Sequence, residues 1–352
     1  MINRSDALND ALERLDGYAY LDAPGFACHG PMGAETLSNL GHNDLVAGWV
    51  DQYRKRHQPL PPPSPNHPID RGDAQALCSA LGDPSRVSDW AAMFRAEFWT
   101  RPWQHVVKQW ASRLLAGYGG ALTHGLIRTA HAVRALSTEA PSSGLMLDEL
   151  ANGLALWAAT FKVVPGRTEM SGQLTITEAI GRLPRPSKPW PLLEAGTFSR
   201  IDNLEGYVEA VDALGPPSSS QEALSALSAH FCAVIVAHPD VFAVPLVHMV
   251  TPIAAVRTLL PYLGDVSTEQ LYGQLWKVGA AITVSFTPGG NPPPAKTERD
   301  PGSPDELLAK AVIHQDPHAL KVSEACTREY ALNPDPIYLT AAEHVLDQLP
   351  AW

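Results

Sequence analysis

Asp44-Leu45-Val46-Ala47-Gly48-Trp49-Val50-Asp51-Gln52-Tyr53-Arg54-Lys55-Arg56 repeats apolar residues at three- and four-residue intervals, so that Leu45, Val46, Trp49, Val50 and Tyr53 form one stripe. A period near 3.6 puts such a stripe on one face of a helix, whereas a half-buried strand alternates every second residue. The same spacing recurs along the chain. It predicts a helix over 34–40, hinged to 44–56 at Gly41-His42-Asn43, then helices over 87–99, 102–115, 122–136 and 147–163. Further helices are expected over 175–181, 204–213, 221–237, 244–262, 268–284, 304–313, 317–332 and 337–349. Only 283–286 reads as a strand. The 32 prolines fall largely between these segments, where they end helices. The expectation is an all-α fold, a single large multi-helical domain over 1–352 with Pro/Gly-rich loops near 59–69, 165–200 and 287–304. The segment 165–200 is the natural place for a lid. No internal repeat of fixed period is present.

Composition narrows the function. The chain carries 26 basic and 37 acidic residues, a formal net charge of −11, and no Lys/Arg cluster longer than Arg54-Lys55-Arg56, which argues against a nucleic-acid partner. The N-terminus Met1-Ile2-Asn3-Arg4-Ser5-Asp6 lacks the apolar run of a signal peptide, and later apolar stretches are broken by Pro, His or a charge. A soluble, cytoplasmic protein with no membrane partner is expected. Cys28, Cys78, Cys232 and Cys326 show no CxxC spacing, which speaks against a disulfide framework or a zinc ribbon. No GxGxxG follows an expected strand and no GxxxxGK[ST] or GxSxG occurs, so the usual signs of flavin, nicotinamide, ATP and serine-hydrolase sites are missing. What remains is 13 histidines, several at apolar positions where an unpartnered imidazole is costly.

His29, in Phe26-Ala27-Cys28-His29-Gly30-Pro31-Met32, stands before a helix and reads either as a loop or capping residue or as a side chain aimed inward at a site. His124 and His131 lie seven residues apart in Thr123-His124-Gly125-Leu126-Ile127-Arg128-Thr129-Ala130-His131. Two helical turns put both on one face but about 10.5 Å apart along the axis, far for one ion. Sharing an ion requires His124 at a frayed first turn or a distortion near Gly125; satisfied core histidines are the alternative. His248, inside Leu246-Val247-His248-Met249-Val250-Thr251, reads as buried, with its needs met by a backbone carbonyl or a Thr, or as a ligand. His230 and His238 compete more weakly. In Asp316-Pro317-His318-Ala319-Leu320-Lys321-Val322-Ser323-Glu324, three-residue steps place His318, Lys321 and Glu324 on neighbouring helix faces. Alone, Lys321 reads as an exposed lysine paired with Glu324.

Taken together and in order, His29-Gly30-Pro31-Met32, the run from His124 to Ala132, Leu246 to Thr251, and His318-Ala319-Leu320-Lys321 with Glu324-Ala325-Cys326 resemble the questin oxidase-like family, over about 20–345. That family's fungal members cleave anthraquinone rings, and the resemblance implies a non-haem iron oxygenase with four histidines and a carboxylated lysine around the metal. Carried onto this chain, the ligand set is His29, His124, His131, His248 and Lys321, with His230 as the competitor of His248. Fe(II) is the implied cofactor, NADPH a candidate reductant, and an aromatic or polyketide-like ketone with dioxygen the substrate pair. The outcome is oxygen insertion with C–C cleavage, by dioxygenation or Baeyer–Villiger-type oxidation. Neutral imidazoles suit Fe(II), and a carbamate on lysine supplies the anionic oxygen they lack. Carbamate formation requires a neutral amine and hence a buried lysine of lowered pKa. Where the lysine is unmodified, Glu35 or Glu324 is the substitute anion. Arg128, one turn beyond His124, reads either as the group that polarises the substrate carbonyl or as half of a helix-surface ion pair. The rival classes are a zinc hydrolase on the same ligands and a non-catalytic helical scaffold.

Overall fold

The computed structural model describes residues 2–17, 20–22, 26–138, 143–190, 198, 200–219, 222–289 and 301–352. Helix makes up 69% of the structure against the third typical of soluble domains, so the fold is all-α. Packing divides the chain into two compact units, 1–163 with 255–264, and 164–254 with 265–352.

The first unit holds α1 (Arg4–Arg14), a two-residue antiparallel pair β1 (Leu21–Asp22) and β2 (Phe26–Ala27), α2 (Gly30–Asn39), α3 (Asn43–His57), α4 (Ala74–Ala80), α5 (Val87–Thr100), α6 (Trp103–Leu114), α7 (His124–Thr138) and α8 (Gly144–Ala159). The stripe on α3 is its buried face: Val46, Trp49, Val50 and Tyr53 are almost wholly enclosed, while Leu45 stays 38% exposed at the margin. α1, α2 and α3 pack together, α2 also lies on α7, and α8 packs on both α5 and α7. The α7–α8 approach depends on glycine: a Cβ at Gly125 would stand 2.3 Å from the Trp157 Cα, and one at Gly153 would stand 2.9 Å from the Thr129 backbone nitrogen. Trp90 and Phe94 stack on each other, and Trp110 meets both edge-to-face.

The second unit holds α9 (Ile176–Arg182), α10 (Tyr207–Asp212), α11 (Ala223–Ala237), α12 (Ala243–Leu259, its last turn counted with the first unit), α13 (Thr268–Phe286), α14 (Pro304–His314), α15 (Pro317–Leu332) and α16 (Pro336–Gln348). Its helix starts are written in the sequence. Thr175 with Glu178, Ser267 with Gln270 and Ser303 with Glu306 form capping boxes, and Asp316 and Asp335 cap α15 and α16 ahead of Pro317 and Pro336. α16 packs on α11 and α15, and Phe231 of α11 stacks on Trp276 of α13 over Gly279.

Three expectations change. Helices α1 and α4 stand where none is expected, both started by capping side chains, Asn3 and Asp73. The expected strand 283–286 is the last turn of α13: Thr283 and Ser285 return their hydroxyls to the carbonyls of Gly279 and Ala281, and full burial overrides β propensity. The window Ala243–Tyr262 is apolar and long enough to cross a membrane, with mean hydropathy 1.5, but 78% of it is buried within the protein. Segment 59–69 has no helix, as its prolines require, and 165–189 carries only α9; of the remaining expected loops, 191–197, 199 and 290–300 lie outside the described residues.

Candidate metal centre

His29 sits where the β1–β2 pair runs into α2, at the residue before the helix. Its backbone N–H donates to the Tyr53 hydroxyl at 2.6 Å, and Tyr53 donates in turn to Asp22. Tyr53 comes from the α3 stripe, so the face that fixes the fold also anchors His29. Burial pushes the Asp22 carboxyl up to about 6 against the opposing bond from Tyr53. The His29 ring places Nδ1 2.6 Å from the Ala27 carbonyl oxygen.

His124 opens α7 directly after Ala121, Leu122 and Thr123, whose φ values of 45°, 49° and 69° are all left-handed. Each L-residue in that region costs about 1–2 kcal/mol, so packing must impose the turn. Gly120 permits it, because a Cβ there would lie 1.4 Å from the Thr160 carbonyl oxygen. The turn delivers the Ala121 carbonyl oxygen to 2.6 Å from His124 Nδ1. Carbonyl oxygens only accept, so both Nδ1 atoms carry the proton and both Nε2 atoms a lone pair. These two Nε2 atoms face each other at 3.0 Å. Two lone pairs at that separation repel unless a proton or metal ion is shared between them. Two nitrogens bound about 2.1 Å from one ion at a right angle stand about 3.0 Å apart, which is the spacing found.

His248 lies inside α12, fully buried, with Nδ1 2.8 Å from the Val244 carbonyl oxygen, the same tautomer again. His318, in the first turn of α15, has Nδ1 3.5 Å from Asp316 Oδ1, and its ring centroid lies 5.9 Å from that of His248. Burial lowers the His318 pKa, as does neighbouring Lys321, with Asp316 opposing. One ligand nitrogen from each of His29, His124, His248 and His318 lies within 4.8 Å of the others, a histidine cluster able to hold a metal ion. The donor set is soft enough and neutral enough for Fe(II) or Zn(II).

Two expected site residues go elsewhere. His131 is not in this cluster: its Nδ1 is 2.7 Å from Glu35 Oε2, and Glu35 also accepts from Arg4 and Arg134. The two-turn separation from His124 is the reason, and the strained turn that re-aims His124 leaves His131 in regular helix. Burial raises the Glu35 carboxyl, but Arg134 and His131 outweigh it and hold it well below the carboxylate range. Arg128 is not a helix-surface ion pair: wholly buried, it grips Glu149 through Nε at 2.6 Å and Nη2 at 2.7 Å, tying α7 to α8. His230 is held by Ala226 and Thr177, so His248 takes the position for which the two compete. Lys321 is 3% exposed, and burial lowers its pKa to about 7 with Asp316 opposing. Glu324, also buried, is 3.7 Å from Arg328.

His318 is the ligand candidate that residue-by-residue reading passes over. Its signal is Asp316-Pro317 immediately before it, a helix start that sets His318 and Lys321 one turn apart. The cavity beside Glu35, His131 and Glu149 in the first unit is about 20 Å³, room for a water but not for an organic substrate. No family model matches this chain, and no curated protein matches it.

Proposed function

We propose that this protein is a non-haem iron-dependent oxygenase acting on an aromatic or quinone-like ketone, with His29, His124, His248 and His318 as the metal ligands. The observation that carries the reading is the convergence of four imidazoles, one pair of them with Nε2 atoms 3.0 Å apart. The resemblance to the questin oxidase-like family supplies the choice of iron and of substrate class. Fe(II) held there would activate dioxygen for insertion into the ketone with C–C cleavage. NADPH is the reductant if a single oxygen atom is inserted, and none is required if both atoms of dioxygen enter the product.

The chain's own groups have definite tasks. The carbonyls of Ala27, Ala121 and Val244 fix three tautomers and aim Nε2. Four imidazoles leave a divalent ion without a compensating negative charge. Lys321, with a pKa near 7, is substantially neutral at physiological pH and competent to add carbon dioxide, giving a carbamate and releasing one proton. That carbamate supplies the missing anion. Glu35 is a poor substitute, because three cationic or donor side chains already hold it.

The test is elemental analysis of protein produced without added metal, with oxygen uptake measured on an anthraquinone-type ketone with and without NADPH. Iron near one per chain and ketone-dependent uptake support the proposal, and Lys321→Ala should lose most of the iron. Zinc in its place would move the reading to a hydrolase, and a metal-free protein that takes up neither ion would overturn it.

A further inference from the structure

We propose that Asp316 is the positioning residue of the candidate metal centre: its carboxylate holds His318 in the Nδ1–H form and so presents Nε2 for coordination, an inference that rests on the reading above. Three of the four imidazoles turn Nδ1 to a peptide carbonyl, those of Ala27, Ala121 and Val244. His318 turns it to a carboxylate, Asp316 Oδ1, at 3.5 Å, a separation that a small rotation of the imidazole closes to hydrogen-bond length.

Asp316 is not free to swing away. Oδ1 accepts from the backbone N–H groups of His318 at 2.8 Å and Ala319 at 3.2 Å, which makes it the N-cap of α15. Pro317 fixes the backbone between cap and ligand. The same oxygen therefore starts the helix and sits against the ring of its second residue. A carboxylate on the far nitrogen of a ligand imidazole orients the ring and raises the donor strength of the near one more than a neutral carbonyl does. His318 thus becomes the strongest nitrogen donor of the set, and Asp316 supplies outer negative charge to a group of neutral ligands.

The cap and the carboxylate separate experimentally, because Asn caps a helix about as well as Asp whereas Ala does not. The full chain is compared as wild type, Asp316→Asn and Asp316→Ala. Without added metal, long-range ¹⁵N–¹H NMR of the histidine rings should show His318 in the Nδ1–H form in wild type and a mixture of tautomers in Asp316→Asn, at similar Tm. Zn(II) affinity, read by competition with a chromophoric chelator, should fall about 10–100-fold in both variants. Only Asp316→Ala should also lose thermal stability. A wild-type His318 in the Nε2–H form, or an Asp316→Asn protein unchanged in both tautomer and affinity, would overturn the proposal. A wild type that binds no Zn(II) while showing the expected tautomers would sink the metal-centre reading and leave the role of Asp316 in orienting the ring standing.

Discussion

Replacing Lys321 by Met should make the protein more stable, and the amount follows from where the amine sits. Lys321 is 3% exposed, and burial brings its pKa from 10.5 to about 7, with Asp316 pulling the other way. At about 1.36 kcal/mol per pH unit, that displacement corresponds to at most about 4–5 kcal/mol of destabilisation at neutral pH and below. Relaxation around a buried charge reduces such figures, so a gain of about 2–4 kcal/mol is expected for Met, which keeps most of the apolar stem. The sign is fixed by linkage: the unfolded chain holds the proton up to about pH 10.4 and the folded chain only to about 7. Wild-type stability should therefore rise with pH across that window by up to about 1.4 kcal/mol per unit, and the Lys321→Met advantage should close as pH 10 is approached. The assay is urea unfolding from pH 7 to pH 10 in buffer freed of carbon dioxide and chelated of metal. Bicarbonate should stabilise the wild type and leave the variant unmoved. A Lys321→Met protein no more stable than wild type at pH 7, with the same slope against pH, would refute the argument and put the lysine back in solvent.

Two other substitutions test how the ligand-bearing helices are held. Glu149→Gln leaves the fully buried Arg128 guanidinium without its carboxylate and should cost about 3–5 kcal/mol in denaturant unfolding, whereas Arg128→Met combined with Glu149→Leu should recover most of that; equal losses in both proteins would mean that packing volume, not charge, governs this pair. Gly125→Ala pushes a methyl group to 2.3 Å from the Trp157 Cα, which a backbone atom cannot yield, so α7 must shift and carry His124 with it. A loss of about 1–3 kcal/mol in stability and weaker Zn(II) binding are expected, with the open helical position Gly181→Ala as the control; undiminished Zn(II) affinity in Gly125→Ala would show that the α7–α8 contact does not set the position of His124.

Much of the fold is legible locally. The stripe on 44–56, the capping boxes at Thr175, Ser267 and Ser303, and the Asp-Pro starts at 316 and 335 each specify a helix from a few neighbouring residues. The candidate site is legible only in part. His29, His124 and His248 draw attention through the segments they interrupt and Lys321 only through the resemblance, while the helical period gives no reason to prefer His318 over His131. The period even misleads at 124–131, since it assumes a regular backbone leading into α7, and the left-handed Ala121, Leu122 and Thr123 are not residues that signal such a turn.

By itself the sequence determined the all-α class and the order of most helices, because period and caps act over a few residues and need no partner. Tertiary structure decided what those signals cannot carry: that Thr283 to Phe286 is helical, that Arg128 is buried and paired with Glu149, that Lys321 is buried, and which four of thirteen histidines meet. Each of these depends on desolvation or on contacts between residues remote in sequence, and burial of a side chain is a property of everything packed around it.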